Sequence, residues 1–470
     1  MELKRLRFPI IASALFVKLS IARWSALVLL LFLATTSNAK AVQASDNFAL
    51  ASWAKAHATL IKLDESRITA PDFRSFNPLI GDAHVVALGE PTHGAHEPLA
   101  IRNTLFRYAV EKLGFTAIAL ETGLPESKAV AAYVAGGPGN VAQIVRDNFT
   151  WGFGSFQENV ELVQWMRVYN ANPAHRRKIR FYGIDLSLGG PSGSTPTATA
   201  IEQALAYLDA VDPASAQQMR LALSPFIARL PASPIPFSRQ DHDRLTAAIA
   251  DLVSLFQRKR PHYLAVASKQ PYDWAYRDAI VARPQDQEFR VVPDNVAGGG
   301  IPPAAWRAMS VRNESMAENV KWVLEQEGVN GRVLVFAHDM HIMNAPTSGG
   351  SWSVLERAPN SMGQYLRSML GKDLAIIGIF DSAPSDSAAG ENRSGSNRNF
   401  IEDAFGRIAR APFAIDLRQA VADRSTSAWL SQPHEFRVNN GDFLKVVPAE
   451  AFDVLVFVQH LTSSRQSFRK

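Results

Sequence analysis

Six apolar runs along the chain stop on an ionisable side chain: HVVALGE at Glu90, FTAIALE at Glu121, IRFYGID at Asp185, RVLVFAH at His338, LAIIGIFD at Asp381 and FDVLVFVQH at His460. Their cores are short, rich in Val, Ile and Leu, and not alternating, the pattern of strands buried on both faces of a parallel sheet. Longer stretches of helical period separate them. The pattern predicts strands over 84–88, 115–120, 179–184, 332–337, 374–380 and 452–458, and helices over 98–113, 157–170, 312–327 and 361–370. In the first helix Pro98 suits an opening position and Gly114 the residue just past the end, while Leu99, Phe106, Ala109, Val110 and Leu113 recur on one face. Strand, helix and strand from 84 to 120 make a βαβ unit with a right-handed crossover.

The expected fold is therefore α/β, a mostly parallel sheet flanked by helices in three α/β/α layers. Residues 199–283 are rich in Ala, Leu and Gln and show no buried-strand pattern, so 187–310 reads as a helical insertion, or lid, covering one side of the cleft. It would interrupt a core formed by 40–186 and 311–470. Within that frame 187–197, 284–303 (with Gly298-Gly299-Gly300) and 383–399 read as loops. The strand at 452–458 is expected to close the sheet and the tail 463–470 to fray.

Residues 1–39 combine a basic start, an apolar stretch from Ser25 to Leu33, and Ser37-Asn38-Ala39, which has the form of a cleavage site. The uncharged stretch from Trp24 to Ala39 is shorter than the ~20 residues of a spanning helix, so a signal peptide cut near Ala39 is expected, without stable membrane anchoring afterwards. That places the mature protein in a secreted or periplasmic setting. Taking Lys4, Arg5, Arg7, Lys18, Arg23 and Glu2 away from 49 basic and 44 acidic residues leaves 44 and 43, so net charge falls from +5 to +1. Overall charge then gives no argument for a nucleic-acid partner. Cysteine is absent, which excludes disulfides, a thiolate nucleophile and Cys-ligated zinc.

Open parallel sheets bind ligands beyond the carboxyl ends of their strands, where these ionisable residues fall. Gly89-Glu90-Pro91-Thr92-His93-Gly94 puts a carboxylate, a hydroxyl and an imidazole into one strand-to-helix turn, with glycines allowing a sharp bend. His93 is the candidate general base, since an imidazole titrates near neutral pH and a carboxylate neighbour fixes its tautomer. If the first two strands pair, Glu121 lies near Glu90, and the two could hold a histidine, polarise water, bind a cation or be neutralised by an arginine. Arg102, in the intervening helix, is either that arginine or part of a solvated face. His338 and His341 stand three apart after another strand, but spacing supplies no third ligand, so neither metal nor cofactor is expected. Asp185 and Asp381 read as loop or cap ties. No Gly-x-Ser-x-Gly elbow is present, which leaves water as the nucleophile.

Taken in order, Gly89 to Gly94, the helix with Arg102, Ala119-Leu120-Glu121, Tyr182-Gly183-Ile184-Asp185, Met316-Ala317-Glu318-Asn319 and Ala337-His338-Asp339-Met340-His341 resemble the erythromycin esterase family. The resemblance implies hydrolysis of an ester or macrolactone by activated water, without a covalent enzyme intermediate, on an α/β core partly roofed by helices. It implies His93 as the base, Glu90 and Glu121 as the carboxylates that orient it and the water, and Arg102, His338 and His341 as the remaining polar lining. Asp339 stands where the family pattern has an amide, and an added negative charge there would alter the basicity of His338 or His341. Two other readings remain open at this level. One is a metal-dependent hydrolase of another bond, ligated by Glu90, His93, Glu121 and His338 or His341. The other is a binding protein that uses the same cleft without turnover. The partner in the first reading is a small-molecule ester or lactone; oligomeric state is not legible from the chain.

Overall fold

Each of the six apolar runs forms a strand, because an unbroken Val/Ile/Leu segment gains most when both its faces are buried. In chain order the strands are β1 (Thr59–Leu60), β2 (Val85–Glu90), β3 (Ala117–Gly123), β4 (Arg180–Asp185), β5 (Val333–His338), β6 (Leu374–Asp381), β7 (Phe413–Asp416), β8 (His434–Val438), β9 (Asp442–Val446) and β10 (Val454–Val458). This computed structural model describes residues 49–61, 74, 76–186, 198–230, 237–291, 301–381, 400–406, 408, 412–439 and 441–467. The expected signal segment and the loops at 187–197 and 383–399 lie outside the described residues.

Eight strands form one sheet in the order β1-β7-β10-β6-β2-β5-β3-β4, and β8 and β9 make a separate hairpin. From β10 to β4 every neighbouring pair is parallel; β7 runs antiparallel to β10, and β1 to β7. β10 therefore does not close the sheet as expected but lies inside it, between β6 and β7. The strands beyond it are two and four residues long, too short to show a period in the sequence.

Helices cover both faces, as a three-layer α/β/α fold requires. One face, with Val86, Leu88, Ile118, Leu120 and Phe336, packs on Leu99, Phe106, Val130 and Leu162 from helices His96–Leu113, Ser127–Val134 and Gln157–Ala171. The other, with Val85, Ala87, Ala119 and Val335, packs on Met316, Val320 and Leu366 from helices Trp306–Glu327 and Met362–Leu370. Helices from Thr199 to Val291 enclose a third core around Leu205, Leu252, Phe256 and Tyr272. The last of them, Lys269–Val291, runs through Pro284, where the composition suggested a loop; a long helix already packed on its neighbours carries the hydrogen bond that a proline removes. Among the described residues no helix is long and apolar enough to cross a membrane.

β2 sits at the point where the chain changes direction across the sheet: β3 and β4 lie to one side, β6 and β10 to the other, and β5 returns between β2 and β3. A crevice opens at the carboxyl ends of strands around such a switch point. Gly89 matters there for closeness rather than for bending. It belongs to β2, and a Cβ on it would lie 1.8 Å from Asp339 Oδ1, whereas Gly94 does adopt a left-handed φ of 76°. Gly89→Ala is expected to cost about 1–3 kcal/mol in denaturant unfolding. The cost should shrink in an Asp339→Ala background, since the colliding atoms are then no longer both present; an equal cost in both backgrounds would contradict the packing account.

Candidate active site

The two carboxylates expected to be neighbours are not on adjacent strands. β5 pairs with both β2 and β3, with Glu90 beside His338, so His338 ends the strand between them. By strand alternation Glu90 follows Leu88 on one face, while Glu121 follows Ala119 on the other. A register shift in β3 between Leu120 and Gly123 marks an irregularity that takes in Glu121 and Thr122, the kind that re-aims a side chain. The site is thus assembled from both helical layers and joined at the strand ends.

On the Glu90 side, His93 Nδ1 lies 2.7 Å from Glu90 Oε1. A carboxylate accepts, so Nδ1 carries the proton and Nε2 holds the free lone pair. The ring packs against Phe153 at 4.9 Å and edge-on against His338 at 5.0 Å, and its side chain is 35 % exposed. Burial alone would lower the basicity of His93, but the charges of Glu121 and Glu90 and the hydrogen bond outweigh it, and its pKa is raised. Glu90 is itself raised, burial outweighing the opposing pull of His93. Its second oxygen, Oε2, is buried without a hydrogen-bond partner.

Arg102 does not lie on a solvated face: it is 1 % exposed, its guanidinium donates to Asn103 Oδ1 at 2.8 and 3.0 Å, and it stacks over Phe336. Nor does it form an ion pair with either carboxylate. Burial lowers it to about 10 even with Glu90 and Glu158 acting the other way. With Glu90, Glu121, Phe153 and Asn159 it lines a cavity of about 20 Å³. That is room for one water but not for an ester, so a substrate must approach His93 from the solvent side.

On the Glu121 side the charge partner is Arg312, which sequence reasoning did not single out. It donates to Glu121 Oε1 at 3.0 Å and grips both oxygens of Asp185 at 2.9 and 2.6 Å, with its guanidinium over Trp151. Trp151 Nε1 donates to Asp185 as well, so Asp185 ties loops together as expected but is also half of this ion pair. Glu121 accepts further from the backbone N–H of His338 at 2.8 Å, and its Oε1 faces His341 Nε2 at 3.2 Å. Against the cost of burial, His341, His93 and Arg312 hold it well below the usual carboxylate range. The sequence signal available was slight: a buried strand-end aspartate demands a cation, and Arg312 opens a predicted helix, but 127 positions separate the two.

His338 and His341 are held on both ring nitrogens. His338 Nδ1 accepts from the Met340 N–H at 3.1 Å, which leaves Nε2–H to donate to Asn439 Oδ1 at 3.0 Å. Burial and the neighbouring His93 pull its pKa down to about 3, so it is neutral. Asn439, in the β8–β9 turn with a φ of 48°, also donates its N–H to Pro91 O and so braces the catalytic turn; it too escaped the sequence reading. His341 Nδ1 is 2.6 Å from Asn313 Oδ1, whose orientation is set because Asn313 Nδ2 donates to Asn360 O. Both imidazoles meet protein partners on each ring nitrogen, and among the described residues no group of three or more His, Cys, Asp or Glu could hold a metal. Complete burial works against the negative charge expected of Asp339, pushing its carboxyl well above the usual carboxylate range toward the neutral form.

The described part of the tail does not fray. Ser464 N–H donates to Gly94 O at 2.7 Å, His96 N–H to Thr462 O at 2.8 Å, and Gln157 N–H to Arg465 O at 2.8 Å, while the Ser464 hydroxyl donates to Glu158. These bonds strap residues 462–467 across the start of the helix that follows His93. Of the six strand-end residues, Glu90, Glu121, Asp185 and His338 meet in this cluster, whereas His460 is exposed.

Residues 110–461 match the family model described as erythromycin esterase. Glu121, His338, His341 and Arg312 lie inside that match; Glu90, His93 and Arg102 precede it. The chain is 28 % identical over 342 residues to erythromycin esterase type II of Escherichia coli, covering 70 % of this chain and 76 % of that protein. Its fold is similar to the crystal structure of a Bacillus cereus protein, with a TM-score of 0.74 and 22 % identity over 90 % of this chain and 99 % of that one. A variant of erythromycin esterase EreC in its open conformation is similar with a TM-score of 0.64 and 16 % identity over 87 % and 98 % of the two chains.

Proposed function

Since the chain belongs to the erythromycin esterase family and is a hydrolase of the esterase type, we propose that it opens a macrolactone or related ester by general-base activation of water at His93. The observation that carries this reading is the hydrogen-bond inventory of the three site histidines. His338 and His341 are engaged on both nitrogens, while His93 is tied through Nδ1 alone and its side chain is 35 % exposed. A water on Nε2 adds to the substrate carbonyl as His93 takes its proton. The tetrahedral intermediate then expels the alkoxide, and the imidazolium returns the proton to it, so that one water is consumed and an acid and an alcohol are released. Glu90 holds the tautomer, Glu121 supplies the negative field that favours the imidazolium, and the positive charge of Arg312 offsets the negative charge developing on the oxyanion. Arg102 sits behind Glu90 as a buried cation. The helices of 199–291 set substrate choice, and the mature protein acts outside the cytoplasm after cleavage near Ala39.

The test is hydrolysis in 18O-labelled water with a panel of macrolides, simple lactones and open-chain esters, read by mass spectrometry. One labelled oxygen in the product carboxylate is expected for at least one macrolactone. A folded protein that leaves the entire panel unchanged would overturn the reading. With a substrate in hand, a chain ending at Leu461 is expected to lose roughly ten- to a hundredfold in kcat, since it frees Gly94 O and the turn that presents His93. An unchanged kcat would show that the strap is dispensable.

A further inference from the structure

The last helix of the insertion, Lys269–Val291, lies along the helix Trp306–Glu327, which carries Arg312. Arg277 Nε donates to Asn319 Oδ1 at 2.8 Å, and Pro284 and Gln287 of the first helix line one groove with Val311 and Ser315 of the second. That register carries Glu288 to Arg312, and each feels the other's charge. The hydrolytic mechanism gives Glu288 no part, although Arg312 is the cation of the catalytic cluster.

Two groups at this contact are left over. Glu288 Oε2 is buried without a hydrogen-bond partner. Arg312 spends Nε and Nη2 on Asp185 and Glu121, and among the described residues its Nη1 makes no hydrogen bond. Asp185 and Glu121 already balance the guanidinium, so a third carboxylate beside it would add an uncompensated negative charge. Burial accordingly outweighs the pull of Arg312, and with the charge of Asp185 it pushes Glu288 up to about 8. The charges around Glu288 on its own helix are engaged elsewhere: Asp286 with His242 and Arg290, and Arg290 also with Asp243.

We propose that Glu288 is a positioning residue for the hydrolysis, acting through Arg312: uncharged, it packs the insertion against the cluster and leaves Arg312 Nη1 to the oxyanion; ionised, it takes Nη1 for itself. A carboxylate at hydrogen-bond reach of Nη1 would compete with the oxyanion for the same donor and cancel the field that stabilises it. This role rests on the hydrolytic reading.

The experiment follows kcat from pH 7 to pH 9.5 on the panel of macrolides, lactones and esters, for the wild type, Glu288→Gln and Glu288→Ala, beside denaturant midpoints at pH 5 and pH 9. The wild type is expected to lose about tenfold in kcat across that range as Glu288 ionises. Neither variant has a charge to gain, so both should lose the fall; the alanine guards against a glutamine that disturbs the packing. A fall as steep in both variants as in the wild type overturns the role. The midpoints need no substrate. Folding keeps a proton on Glu288 above its ordinary 4.5, so wild-type stability declines as pH rises from there through about 8. The midpoint of Glu288→Gln relative to the wild type should therefore be higher at pH 9 than at pH 5. An equal difference at the two pH values overturns the proposal by itself. No turnover on the whole panel, with the midpoints as expected, overturns the hydrolytic reading and the role with it, while leaving the uncharged state of Glu288 supported.

Discussion

His93→Asn is expected to lower turnover by about 10²–10⁴-fold, the range spanned by a positioned general base. Its side chain is 35 % exposed and packs beside Phe153 and His338 without filling the core, so unfolding free energy should change by less than about 1 kcal/mol. Asparagine can still donate to Glu90, but it has no lone pair of useful basicity to offer water. A variant that kept a tenth of the wild-type rate would remove His93 from the chemistry. The pH profile gives an independent check. Since the base must be unprotonated, kcat/KM rises as pH rises through the raised pKa of His93. Glu90 contributes to that raise, so Glu90→Gln should move the acidic limb to lower pH and also slow the plateau, a weaker base being a poorer proton acceptor. The charge of Glu121, which remains, keeps part of the elevation. A limb that stays in place would mean that a group other than His93 is being titrated.

Glu121→Ala should destabilise the fold by about 3–5 kcal/mol, the scale on which removing one partner of a buried charge cluster leaves the others uncompensated. Arg312 keeps Asp185, but the His338 backbone N–H and His341 Nε2 lose their acceptor. The sign with pH follows from the direction of the shift. Glu121 is held well below its ordinary 4.5, so its stabilisation is present above that value and is lost as pH falls through the folded-state pKa. Acid unfolding of the variant should therefore be shallower than that of the wild type below about pH 4.5, and the two curves should diverge most at neutral pH. Denaturant midpoints measured from pH 3 to 7 test both points. A loss under about 1 kcal/mol at pH 7 would show that the cluster is not the keystone its geometry implies.

Local pattern carried much of the site. Glu90, Glu121 and His338 could be placed at strand ends because a buried strand stops where its first polar side chain can reach solvent or a partner. Which of Glu90 and Glu121 holds His93 was not legible in the sequence, although only three positions separate His93 from Glu90. For Arg102 a helix period says which face is buried, yet not whether an arginine on it meets a carboxylate or, as here, a neighbouring asparagine. Arg312 and Asn439 could not be found this way. Their partners lie 191 and 101 positions away, and nothing in either segment marks the pairing.

The amino-acid order by itself determined the six long strands, four of the helices between them (Ser127–Val134 and Val141–Asn148 were not legible), the α/β class and the chemistry available at the strand ends. Those depend on periodicity and turn composition, which are properties of neighbours in sequence. Only the tertiary structure decided that β5 enters between β2 and β3, that burial drives Asp339 toward its neutral form, that the tail grips Gly94, and which one of three imidazoles is left with a nitrogen not engaged by the protein. Strand order, burial and hydrogen-bond competition are set by contacts between segments far apart in the chain, and protonation follows from the field those contacts create.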